Sequence, residues 1–229
     1  MIKTLKKLVR KVIGPTQGIP YWEKRAKLYG ARSVLNISHT PEEFEAVTEM
    51  QVREIFPYLR QQLNGSEKVI LDYGCGPGRF TAKLADVIGG EAIGVDPIKT
   101  LINLAPKADN VRYKISREGK IPMPDSSVDA VWICLVLGGL LPKVLEPTCR
   151  EIDRVLKPGG LLFVVECTTE GKVDTPERKW KFRSSEQYAG MFASFASLKH
   201  LHDYHDIDER VSLLAGRKEA SALRSAQAH

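Results

Sequence analysis

Residues 69–79 read Val69-Ile70-Leu71-Asp72-Tyr73-Gly74-Cys75-Gly76-Pro77-Gly78-Arg79: an apolar, β-favouring run, then an acid, then three glycines at alternate positions. The apolar run reads as a buried strand. The glycines mark a turn in which the backbone bends sharply and leaves room for a ligand. Residues 80–87 (FTAKLADV) then read as a helix. Strand, turn and helix make the first unit of a nucleotide-binding α/β sheet, with the helix N-terminus facing the ligand.

The neighbours of this turn sharpen the reading. Ala92-Ile93-Gly94-Val95-Asp96 is a second strand that ends in an acid. Asp96 follows the turn by about twenty residues, where a carboxylate accepts hydrogen bonds from a ribose diol. The glycine spacing, Asp-x-Gly-x-Gly-x-Gly, differs from the G-x-G-x-x-G of dinucleotide sites, whose later glycines suit a pyrophosphate. Two further stretches lie downstream, Asp125-Ser126-Ser127-Val128-Asp129-Ala130-Val131 and Arg154-Val155-Leu156-Lys157-Pro158-Gly159-Gly160-Leu161-Leu162. With the glycine turn they resemble, in order and spacing, the class I S-adenosylmethionine-dependent methyltransferases.

That resemblance implies a Rossmann-like three-layer α/β sandwich. Its seven-stranded, mostly parallel sheet would have the order 3-2-1-4-5-7-6. The strands are read at residues 68–73, 91–96, 111–115, 128–135 and 161–167, followed by an antiparallel pair at 198–204 and 210–215. A helix at 41–63, opened by Thr40 and Glu43 as a capping box, precedes them, and another at 184–193 precedes the final pair. The organisation expected is a basic amphipathic helix over 1–15, a helical cap over 16–66, the methyltransferase core over 67–218 and a tail over 219–229.

The same resemblance assigns S-adenosylmethionine as cofactor. Asp72, Gly74, Cys75 and Gly76 would pass under its amino-acid part. In the loop Asp96-Pro97-Ile98, all three counted as cofactor-binding, Asp96 would take the ribose hydroxyls and Ile98 would pack on the adenine. Glu118 is the acid expected to reach the adenine amino group, although Arg117 stands where the family's aspartate is usual. Cys134 and Leu135, at the end of strand four, would lie near the sulfonium. In Tyr21-Trp22-Glu23-Lys24-Arg25, Tyr21 would cover the site and Arg25 would meet the methionine carboxylate.

A hydroxyl acceptor needs a base to remove its proton. Family members often carry histidines just after strand four. Here that place reads Gly138-Gly139, which points to a roomy acceptor pocket or to a base from elsewhere. Glu166, at the end of strand five, and His202, in the cluster His200, His202, His205, are the catalytic candidates. No metal is expected. Trp180 to Tyr188 (WKFRSSEQY) would line the acceptor pocket, and this stretch, with Glu209-Arg210-Val211-Ser212 and Ala215-Gly216-Arg217-Lys218, resembles small methyltransferases of bacterial surface-polysaccharide biosynthesis. The function expected is therefore O-methylation of a saccharide or other small polar acceptor, with a lipid-linked one in view. A nucleic-acid methyltransferase and a non-catalytic S-adenosylmethionine-binding protein are the alternatives.

Composition bounds these readings. A chain of 229 residues with 43% hydrophobic content is large enough for one soluble domain with a substantial core. The four cysteines, Cys75, Cys134, Cys149 and Cys167, form no C-x-x-C pair and read as reduced packing residues of a cytoplasmic protein. Of the net charge of +6, five charges come from Lys3, Lys6, Lys7, Arg10 and Lys11, so the rest of the chain carries +1. The basic balance is therefore terminal and argues against a specific nucleic-acid groove. Ile2, Leu5, Leu8, Val9, Val12 and Ile13 share an arc of about 140° on a helix, opposite the cations. This pattern suits peripheral contact of residues 2–13 with an anionic membrane face, or packing on protein.

Overall fold

A computed structural model describes residues 17–36, 39–169 and 180–220. The N-terminal amphipathic segment therefore lies outside the described residues, as does the tail beyond 220. Among the described residues no helix is long and apolar enough to cross a membrane.

The chain opens with α1 (Gly18–Tyr29) and a 3-10 turn at Gly30–Val34, then α2 (Phe44–Gln62). Next come β1 (Val69–Tyr73), α3 (Thr81–Ile88), β2 (Glu91–Asp96), the short α4 (Lys99–Ile102) and β3 (Val111–Ile115). After β4 (Val128–Cys134), a 3-10 turn at Leu137–Gly139 leads into α5 (Pro142–Val155) and β5 (Leu156–Cys167). The chain then runs through α6 (Ser185–Gly190), β6 (Lys199–Asp206) and β7 (Glu209–Arg217).

The sheet order is β3-β2-β1-β4-β5-β7-β6, as the resemblance implies. β1 to β5 pair in parallel, and β7 runs antiparallel between β5 and β6. Strand alternation sends side chains to two cores. On one face Ile70, Trp132 and Phe163 pack with Ile55, Phe56 and Leu59 of α2 and Leu84 of α3. On the other, Leu71, Val131, Leu162 and Val164 pack with Ile152 and Val155 of α5 and with Tyr188, Phe192 and Phe195. α2 is thus one of the sandwich's own helices. β5 also starts five residues earlier than its apolar run suggests. The Lys157–Gly160 stretch makes a bulge, where Gly159 N–H donates to Lys218 O and Lys218 N–H donates back to Gly160 O, both at 2.9 Å.

The downstream motifs are staples of this sheet. Asp129 accepts from the N–H groups of Lys68 and Val69, each at 2.9 Å, and pairs with Lys157 at 2.6 Å, which fixes where β1 begins. Arg154 donates to both oxygens of Glu151 at 3.0 and 2.7 Å, to Asp125 at 2.7 Å, and to the carbonyls of Met123 and Ile121 at 2.8 and 3.0 Å. The Arg154 hydrogen bonds, ahead of the opposing effect of burial, hold the Glu151 carboxyl down at about 2. A depressed folded value means that this stability is present above the ordinary carboxylate range and lost as pH falls towards 2. Arg154→Met is expected to lower unfolding free energy by on the order of 2–3 kcal/mol at pH 7, and to flatten the decline between pH 5 and 3. Urea titrations across that range check both effects.

Candidate functional site

Above the carboxyl ends of β1 to β4 lies one cavity that gathers most of the predicted residues. Asp72, Gly74, Cys75, Gly76, Asp96, Pro97, Ile98, Glu118, Cys134 and Leu135 all line it. Asp96 caps β2 and is buried. Its Oδ2 accepts from Gly76 N–H at 3.0 Å and its Oδ1 from Ile98 N–H at 2.7 Å. Each oxygen keeps a further acceptor lone pair, so the carboxylate fits a ribose diol as well as the two N–H groups. Burial, partly offset by these N–H groups, raises its pKa to about 6. Asp72 sits deeper. It accepts from Thr81 Oγ1 at 2.6 Å, and burial pushes it up to about 7.

The glycines of the turn earn their places against protein rather than ligand. Gly74 has φ +74, and a Cβ there would stand 2.5 Å from Cγ2 of Val136. Gly78 has φ +75, and its Cβ would meet the Tyr113 hydroxyl at 2.4 Å. At Gly76, φ +55, the neighbour is Val34 at 3.0 Å. The room expected for a ligand is occupied at Gly74 and Gly78 by side chains from the β4 and β3 segments. Leu135, a non-glycine at φ +56, turns the chain at the end of β4 and delivers Val136 onto Gly74. Strain of this kind, about 1–3 kcal/mol, is characteristic of functional sites.

α1 reaches the cavity by a different face from the one expected. Ile19, Trp22 and Ala26, at i, i+3 and i+7, pack with Ile98, Leu101 and Val34. Tyr21 and Arg25 lie one residue round the helix and do not line the cavity. Arg25 donates from Nε to Ser33 O at 2.5 Å and from Nη2 to Leu35 O at 3.2 Å, so its fork clamps the turn after α1. Tyr21 stacks edge-on against Trp22, with ring centres 5.2 Å apart. Trp22 is therefore the aromatic that α1 brings to the cavity, beside Tyr73 and Phe80. The helical period held the signal for this, since Trp22 shares a stripe with Ile19 and Ala26.

Neither catalytic candidate reaches the cavity. Glu166 is fully buried and accepts from the N–H groups of Val136 and Leu137 at 2.7 and 2.6 Å, and more weakly from Gly138 at 3.4 Å. It braces the 3-10 turn after β4, and burial raises it to about 7. His202, on β6, stacks on Tyr58 of α2 at 4.5 Å, while His200 pairs with Asp203 at 2.8 Å. The pocket expected at Gly138-Gly139 is filled. A Cβ on Gly138 would lie 2.3 Å from the Trp180 indole, and one on Gly139 would lie between Trp180 at 3.0 Å and Trp22 at 3.5 Å. Among the described residues no group of three His, Cys, Asp or Glu could hold a metal ion.

Residues 71–164 match the family described as a methyltransferase domain. The chain is 33% identical over 106 residues to a ubiquinone/menaquinone biosynthesis C-methyltransferase of Vibrio cholerae, a stretch covering 42% of this chain and 40% of that one. It thus spans about two-fifths of the length of the curated relatives it matches. Among solved structures it is similar to a SAM-dependent methyltransferase from Aquifex aeolicus, with a TM-score of 0.59 and 20% identity over 86% of this chain and 98% of that one. A protein from Pyrococcus horikoshii gives a TM-score of 0.64 at 16% identity, over 84% of this chain and 99% of its own.

Proposed function

We propose that the protein is a class I S-adenosylmethionine-dependent methyltransferase that transfers a methyl group from S-adenosylmethionine to a small acceptor; the match of residues 71–164 to a methyltransferase domain supports this reading. The observation that carries this reading is the cavity in which the glycine turn, Asp96, Ile98 and Glu118 meet above the sheet. Asp96 would hold the ribose diol, Ile98 would pack on the adenine with Glu118 near its edge, and Gly74 to Gly76 would face the amino-acid part. When bound, the cofactor supplies an activated methyl on a sulfonium. What the chain adds is alignment and exclusion of water.

The lining bears on the acceptor. Trp22, Val136, Leu140, Leu141 and Val144 give the cavity an apolar wall, and no histidine is among its lining residues. With Glu166 bracing a turn and His202 on the far edge strand, a sugar hydroxyl would have neither of its expected bases. An electron-rich ring, methylated at carbon or at an acidic hydroxyl, makes less demand on a protein base and suits the apolar wall. The Vibrio cholerae relative, named a quinone-biosynthesis C-methyltransferase, agrees with that choice over a saccharide. Residues 2–13 would let the protein collect such an acceptor, or a lipid-linked one, from a membrane face.

Calorimetric titration with S-adenosylhomocysteine, with NAD as control, tests the cofactor. Binding of the former alone in the micromolar range is expected. Binding of NAD alone would overturn the reading. Transfer of labelled methyl to hydroquinones but not to free sugars is the matching result for the acceptor.

A further inference from the structure

Arg79 closes the opening motif and lines the cavity, yet the adenosine-binding assignments leave it without a task. It is firmly held. Its Nε donates to Thr48 Oγ1 at 3.0 Å and its Nη2 to Gln51 Oε1 at 2.5 Å. The guanidinium lies 4.9 Å from the ring centre of Phe80 and 5.7 Å from that of Phe44. All four partners are neutral, and Arg79 makes no ion pair with a carboxylate among the described residues. Burial disfavours its charge, and the fields of Asp206 and Glu45 offset this only in part, with Asp72 also in electrostatic reach, so an incoming anion in direct contact would relieve the remaining cost. With two of its five donors anchored, both Nη1 hydrogens and one on Nη2 remain, on a fork whose direction is fixed.

The need for such a group is visible elsewhere in the site. The arginine expected to meet a carboxylate, Arg25, spends its fork on Ser33 and Leu35. The other cation lining the cavity, Arg117, stands two residues past β3, on the adenine side. Arg79 instead shares the cavity floor with Asp72 and Cys134, at the ends of β1 and β4.

We propose that Arg79 is the carboxylate-binding residue of this cavity, and that the α-carboxylate of S-adenosylmethionine is its anion. This rests on the methyltransferase reading above. An acidic acceptor would offer the same chemistry, and the experiment separates the two sources. The full chain is titrated calorimetrically with S-adenosylhomocysteine and with 5′-methylthioadenosine, which keeps the adenosine and lacks the carboxylate. Arg79→Met is expected to weaken the first by about tenfold or more and to leave the second unchanged. Arg79→Lys, a point charge without the fork, should fall between. Gln51→Glu, which hands Arg79 an internal carboxylate while keeping the clamp, should also weaken S-adenosylhomocysteine alone.

In a further arm, protein saturated with S-adenosylhomocysteine is titrated with benzoate. Loss of benzoate binding in Arg79→Met, with nucleoside binding intact, assigns the carboxylate to the acceptor. Binding of all three probes unchanged by Arg79→Met overturns the proposal. So does an equal loss of both nucleosides, since Arg79 would then only brace α2. Wild-type protein that binds neither nucleoside overturns the methyltransferase reading, and this inference with it.

Discussion

Asp96→Ala is expected to weaken S-adenosylhomocysteine binding by roughly 2–3 kcal/mol, or about 30- to 150-fold in Kd. Two terms act together. The ribose diol loses a charged acceptor, and Gly76 N–H and Ile98 N–H lose the oxygens that hold the turn and the β2 exit in register. Asp96→Asn separates the terms, because one amide oxygen still serves an N–H while the negative charge is gone. The wild-type affinity should also depend on pH. Burial raises the carboxyl to about 6, so it is ionised at pH 7 and protonated progressively below 6. On the proposed assignment the ionised form accepts the diol, so affinity should be flat above that value and fall by up to tenfold per pH unit beneath it. Calorimetry at pH 5 to 8 reads this directly, and unchanged affinity in Asp96→Ala would remove the residue from the site.

The second large effect is expected at Gly74. An alanine there meets two penalties at once. A left-handed backbone costs an L-residue about 1–2 kcal/mol. A Cβ 2.5 Å from Val136 adds an overpacking cost of about 1–3 kcal/mol. Gly74→Ala should therefore lower unfolding free energy by about 2–5 kcal/mol and displace the turn that lines the cavity. Gly74→Ala combined with Val136→Ala relieves the contact but not the backbone, so it should recover about half of the loss. Chemical denaturation of the three variants measures the partition. A single-variant loss below about 1 kcal/mol would show that the turn relaxes around the added carbon.

The parallel half of the sheet was legible because its signals are local. A β-branched run, a glycine turn and an acid at the strand end each sit within a few residues. The strand exits follow from the same pattern, so Asp96, Ile98, Glu118 and Cys134 come together at one cavity. What misled was anything decided across the chain. Glu166 sits at a strand end, but its orientation is set by the N–H groups of residues 136–138, which accept no prediction from spacing. Gly138-Gly139 reads as open space only until Trp180, some forty residues later, is laid over it. Arg25 had the right residue type, but the turn at 30–34 supplied it with nearer carbonyls. Trp22 could have been chosen over Tyr21 from the i, i+3, i+7 stripe alone.

The glycine turn also sets the terms on which this site could be transplanted. Gly74 is one half of a lock whose other half is Val136, and Gly78 answers in the same way to Tyr113. A designer who copied residues 69–79 into another sheet would carry over the keyholes and leave the keys behind. The portable unit is a discontinuous one: the turn, the third strand's tyrosine and the valine beyond the fourth strand, moved together.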